Sequence, residues 1–113
     1  MTTRQNIAIE QSSTFRFVVT VQGGPDTIAG ATGHMQIRQT KGSATTLADI
    51  GTDYMTFNQT TRQVIVEVPD EATAEWDWDV DAVYDLYLEA VDGSRWRLVE
   101  GLARLSKTVT RED

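Results

Sequence analysis

The stretch Val83-Tyr84-Asp85-Leu86-Tyr87-Leu88-Glu89-Ala90-Val91-Asp92-Gly93-Ser94-Arg95-Trp96-Arg97-Leu98-Val99 decides the fold. Tyr84, Leu86, Leu88 and Ala90 alternate with Asp85, Tyr87 and Glu89, so an extended segment would carry one apolar and one polar face. Asp92-Gly93 interrupts the pattern, and Trp96 and Leu98 resume it. Such a dipeptide favours a two-residue type I′ turn. Val83–Val91 and Arg95–Val99 are therefore expected to form a β-hairpin. Gly101 stands where the alternation changes phase, which suggests a bulge. Leu102, Leu105 and Val109 extend the hairpin or form a last strand.

The same period of two recurs upstream. Phe15, Phe17, Val19 and Val21 alternate with polar or smaller residues until Gly23-Gly24-Pro25-Asp26 breaks the run. Thr27 to Gly33 is small and glycine-punctuated, and reads as a loop. Met35 and Ile37 alternate with His34, Gln36 and Arg38. Leu47 to Ile50 and Tyr54 to Phe57 are weaker strands, and Ile7 to Ile9 is an edge strand. Val64, Val66 and Val68 alternate until Pro69, which has no amide to continue a central ladder. Asp70 to Trp76 alone has helical character, with Asp70 as the capping side chain. The expected core is Phe15, Phe17, Val19, Met35, Ile37, Val64, Val66, Tyr84, Leu86, Leu88, Trp96 and Leu98.

Composition agrees with this pattern. The chain holds 16 Thr, 11 Val and 6 Ile against 6 Leu, a bias toward β-branched residues that pack well on a pleated sheet. Its 113 residues suffice for one domain with its own core. Seven to eight short strands, with turn signals roughly every ten residues, predict a single all-β domain. The architecture expected over residues 1–113 is an antiparallel, immunoglobulin-like β-sandwich with one short helical turn near 70–76. Met1 to Gln5 and Ser106 to Asp113 are polar and read as terminal arms that could link copies.

Several function classes find no residues to carry them. There is no cysteine, which removes disulfides, thiolate metal sites and thiol nucleophiles, and one histidine, His34, which reads as a surface residue. None of the serines sits in a Gly-x-Ser-x-Gly context, and no glycine-rich phosphate loop is present. A formal net charge of -7 argues against a nucleic-acid partner. No apolar run is long enough to span a bilayer, and the amino-terminal residues do not resemble a secretory signal. The expectation is a non-enzymatic protein without cofactor.

The local anomaly is acidic. From Asp70 to Asp92 there are nine carboxylates, and no Lys or Arg lies between Arg62 and Arg95. Asp77, Asp79 and Asp81 would share one side of an extended segment, where oxygen ligands could hold a hard cation. The match to a calcium loop fails at Ala82 and Leu88, and solvated charges are the plainer reading. Trp76 and Trp78 interleave with these acids, either as a lid on the core or as anchors of a contact surface. Tyr87 and Arg95 complete the set of interface candidates.

Five short motifs add a resemblance. Gln11-Ser12-Ser13-Thr14-Phe15, Gly33-His34-Met35-Gln36-Ile37-Arg38, Val83-Tyr84-Asp85-Leu86 with Asp92-Gly93, Arg97-Leu98-Val99-Glu100-Gly101, and Val109-Thr110-Arg111 follow in order along nearly the whole chain. Together they resemble a family of small tailed-bacteriophage virion and tail-associated structural proteins. The resemblance implies a β-sandwich in the tail, baseplate or fibre-attachment region, made in the host cytoplasm. It also implies packing against other virion proteins and against copies of itself in a symmetric assembly. A capsid-surface decoration protein is the alternative within virions. A carbohydrate- or calcium-dependent binding module is the alternative outside them. The resemblance carries no site residues, and the acidic Trp76–Asp81 stretch departs from the short turn it would place there.

Overall fold

The structure, a computed structural model, describes residues 3–109. Nine strands form two sheets. They are β1 (Thr3–Arg4), β2 (Ile7–Glu10), β3 (Phe15–Thr20), β4 (Thr32–Arg38), β5 (Ala48–Ile50), β6 (Met55–Asn58), β7 (Gln63–Val68), β8 (Ala82–Glu89) and β9 (Arg95–Ser106). The larger sheet runs β1-β9-β8-β4-β5, with β2 also on β9, and the smaller runs β3-β7-β6. The chain changes sheet at β2→β3, β3→β4, β5→β6 and β7→β8. Apart from its first two strands, β1 and β2, this is the immunoglobulin arrangement of a B-E-D sheet facing a G-F-C-C′ sheet.

The alternating side chains meet between the sheets. Phe17 of the smaller sheet and Tyr84 of the larger contact edge-to-face, with ring centroids 6.1 Å apart. Met35, Ile37, Val64, Val66, Leu86 and Leu88 are fully buried around them. Trp96 departs from the expected core and is only half-buried, its indole N–H donating to the Ser94 hydroxyl at 2.9 Å. Ile28, in the segment read as a loop, is completely buried. Its amide donates to Gln59 Oε1 at 2.6 Å, and Arg62 donates to the carbonyls of Asp26 and Gly23. These bonds fold the segment across one end of the sandwich.

Four local expectations are corrected. First, the domain is not wholly antiparallel, because β1 and β2 lie parallel to β9. Residues 3–5 therefore belong to the sheet and are no free arm, and the Gln5 amide donates to the Glu100 carbonyl at 2.9 Å. The far end is also held as far as Thr108, whose amide and hydroxyl bond Gln11. The outermost arm residues, Met1, Thr2 and Thr110 to Asp113, lie outside the described residues, as do the last two positions of the Val109-Thr110-Arg111 motif.

Second, the β8–β9 turn is a three-residue loop closed by Ala90 and Ser94, with a positive φ at Gly93 alone (90°). A type I′ turn needs positive φ at both central residues. Asp92 instead accepts the Ser94 amide at 2.9 Å and its hydroxyl at 2.6 Å, which favours a type I turn followed by a left-handed glycine.

Third, the bulge falls at Leu98 rather than Gly101. Leu86 faces Val99 and Tyr87 faces Arg97, so Leu98 is the extra residue and both Leu98 and Val99 are buried. Gly101 answers a different need: a Cβ there would run into the Gln5 carbonyl, where the edge strand crosses closely.

Fourth, the helix α1 is one turn, Asp70–Thr73, with Pro69 at its N-cap and no capping side chain. Thr73, completely buried, donates its hydroxyl to the Ser13 carbonyl at 2.8 Å and ties the turn to the domain.

Candidate interaction face

The acidic segment follows α1 and leads into β8. Trp76 and Trp78 both point into the core, at 9% and 4% exposure, with ring centroids 6.4 Å apart. Trp78 also donates its indole N–H to the Ala103 carbonyl at 3.2 Å. The contact-surface reading of the two tryptophans is corrected on this ground: they close one end of the core and leave no exposed aromatic platform. The segment is thereby pinned to the core.

The intervening carboxylates stay outside, but basic side chains already engage them. Lys107 Nζ lies 2.6 Å from both Asp77 and Asp79, and Arg104 Nε lies 3.2 Å from Asp81. Hydrogen bonds to the two aspartates hold the Lys107 ammonium above its ordinary pKa, and the bond to Asp81 does the same for Arg104. An ammonium thus stands where a cation shared by Asp77 and Asp79 would sit, and Asp81 turns to a different partner. Among the described residues, no three His, Cys, Asp or Glu side chains converge as a metal site.

The other two interface candidates do come together. Tyr87 and Arg95 lie on the outer face of the larger sheet, away from the core. The guanidinium of Arg95 is 5.2 Å from the centre of the Tyr87 ring, and that of Arg97 is 5.3 Å from it. Arg97 also donates to the Tyr87 hydroxyl at 2.8 Å, and this bond is the main reason its pKa is raised. The Leu98 bulge makes the arrangement possible. Without it, Arg97 and Glu100 would face opposite sides of β9. With it both look outward, 3.8 Å apart, and Arg97 also reaches Asp85 at 3.7 Å.

Beside this stack the face sinks into a cavity of ≈ 320 Å³ that takes in Arg4, Arg38, Lys41, Arg97, Asp85 and Glu100. Sequence reading missed Arg4, Arg38 and Lys41, and did not single out Asp85, Arg97 or Glu100 as site residues. Arg4 stood in a stretch read as an arm, and Arg38 showed only as the polar partner of Ile37. The signal was outward alternation on β4, but nothing local says that cations from β1, from the end of β4 with the turn after it, and from β9 meet. Nearby, His34 is exposed as expected and its Nε2 lies 2.5 Å from Asp49 Oδ1 on β5.

Among the described residues, no helix is long and apolar enough to cross a membrane. No known family model matches the chain, and no curated protein matches it significantly.

Proposed function

We propose that this chain is a non-enzymatic structural or adaptor component of a bacteriophage virion, placed in the tail, baseplate or fibre-attachment region. It works by packing a rigid sandwich against other virion proteins and against copies of itself. The observation that carries this reading is the Arg95–Tyr87–Arg97 stack on the open face of the larger sheet. Tyrosine and arginine are the residues that most often dominate protein–protein contacts, because each offers a large flat surface with polar groups at its end. Here they sit on a rigid strand pair, so little order remains to be imposed on binding. The ordered motifs along the chain support the virion setting.

The test is incorporation into particles. Mass spectrometry should find the wild-type chain in purified virions of the phage that encodes it, and electron microscopy with a labelled copy should locate it on the tail. The Tyr87→Ala, Arg95→Ala double variant should keep its melting temperature and lose most of its incorporation. Absence from wild-type particles would overturn the reading. Label on the capsid would replace the tail assignment by surface decoration.

A further inference from the structure

We infer that the cavity beside Tyr87 is a carboxylate-binding site that receives an acidic segment of a partner protein. The inference rests on the reading of this face as a contact surface and names the chemistry of what it contacts.

Among the described residues, four cations and two carboxylates line the cavity. The two carboxylates are accounted for: Glu100 lies 3.7 Å from Lys41 and 3.8 Å from Arg97, and Asp85 lies 3.7 Å from Arg97. Arg4 and Arg38 are left without an acidic partner among the described residues. Arg38 is half-buried, and its guanidinium donates to the Ser43 carbonyl at 2.7 Å and to Gln36 Oε1 at 2.9 Å. Both acceptors are neutral. They hold the side chain in place without cancelling its charge.

A fixed guanidinium with spare N–H donors suits a carboxylate, which accepts two parallel bonds from it. Its rotamer freedom is already lost, so binding costs less order. The concave wall strengthens the local field. In a chain of net charge -7, two uncompensated cations in one hollow are not a by-product of composition. Nucleic acid fits less well, because Asp85 and Glu100 would face a continuous row of phosphates. A peptide can set one acidic side chain between Arg4 and Arg38 and present neutral or basic neighbours to the two acids.

The test uses the full chain, labelled with ¹⁵N, titrated at low salt with a terminally blocked glycine hexapeptide that carries one central glutamate, and separately with hexathymidylate. The glutamate peptide should shift the amides around Arg38, Lys41 and Arg97. Arg38→Gln and Arg4→Gln should each weaken that binding by about tenfold, the scale of one charge-assisted bond. Arg4→Gln changes an exposed edge residue and remains informative if Arg38→Gln fails to fold. No shift with the glutamate peptide, equal affinity in wild type and both variants, or tighter binding of hexathymidylate would each overturn the proposal. The titration is read on the isolated domain and particle incorporation on the Tyr87 variant, so failure of this site and failure of the virion role are separable.

Discussion

The Tyr84 hydroxyl donates to the Gln5 carbonyl across 2.5 Å, so a residue from the middle of the larger sheet holds that sheet's own edge. The bond reaches over Gly101, where an added Cβ would run into the same Gln5 carbonyl. It also places β1, and Arg4 with it, beside Glu100 on the outer face. An edge that might have been a free tail becomes one wall of the candidate site.

Tyr84→Phe should cost about 1–2 kcal/mol, because the Gln5 carbonyl loses its partner. Its pH dependence gives a second signature. Burial pushes the Tyr84 phenol well above its ordinary pKa of about 10. Below that value both folded and unfolded states keep the proton and the stability is complete. As pH rises past it, the unfolded chain ionises while the folded one does not, so stability falls. Urea unfolding at about pH 8 and about pH 11 should show a smaller alkaline loss in Tyr84→Phe than in wild type. Equal losses would mean that Tyr84 does not govern the alkaline limb.

Trp78→Ala should destabilise by about 3–5 kcal/mol, since it empties a buried site and removes the bond to the Ala103 carbonyl. Replacing Asp77 and Asp79 by Asn should change stability by less than about 1 kcal/mol, because exposed ion pairs contribute little. Thermal melts of the two variants would settle the matter. A Trp78→Ala protein that melts like wild type would return this residue to the surface.

Gly101→Ala should detach the edge strands. The new methyl group meets the Gln5 carbonyl, which must move at a cost of about 1–3 kcal/mol. Hydrogen exchange should quicken across β1 and β2 while β4 and β8 keep their protection. Unchanged protection at Gln5 and Ile7 would show that the crossing is looser than described.

Leu86→Ala should cost about 2–5 kcal/mol, and Glu89→Ala on the same strand within about 0.5 kcal/mol. Leu86 is completely buried and Glu89 is exposed. Denaturant midpoints of the two variants measure the contrast directly. Similar losses would put β8 in the wrong phase.

Much of the fold was legible because alternation is a local signal. Tyr84, Leu86 and Leu88 on one strand, and Phe15, Phe17 and Val19 on another, declare their buried face through period two alone, and Pro69 and Gly93 mark where strands stop. The β-branched composition and the turn spacing were enough for an all-β sandwich. The strand partners were not legible. That β1 and β2 pair with β9 rather than β3 depends on Tyr84 and Gly101, residues roughly eighty to a hundred positions away from the edge they hold. The same limit applied to the site. Tyr87 and Arg95 announced themselves by type. The burial of Trp76 and Trp78, and the pairing of Asp77 and Asp79 with Lys107, needed the end of β9 brought against the β7–β8 connection. The Leu98 bulge is the clearest case. Its sequence shows only two consecutive apolar residues, yet the extra residue turns Arg97 and Glu100 to the same face and so assembles the cavity. Periodicity is written in neighbouring residues and can be read there; register and charge partnership arise between distant strands, and only the folded chain decides them.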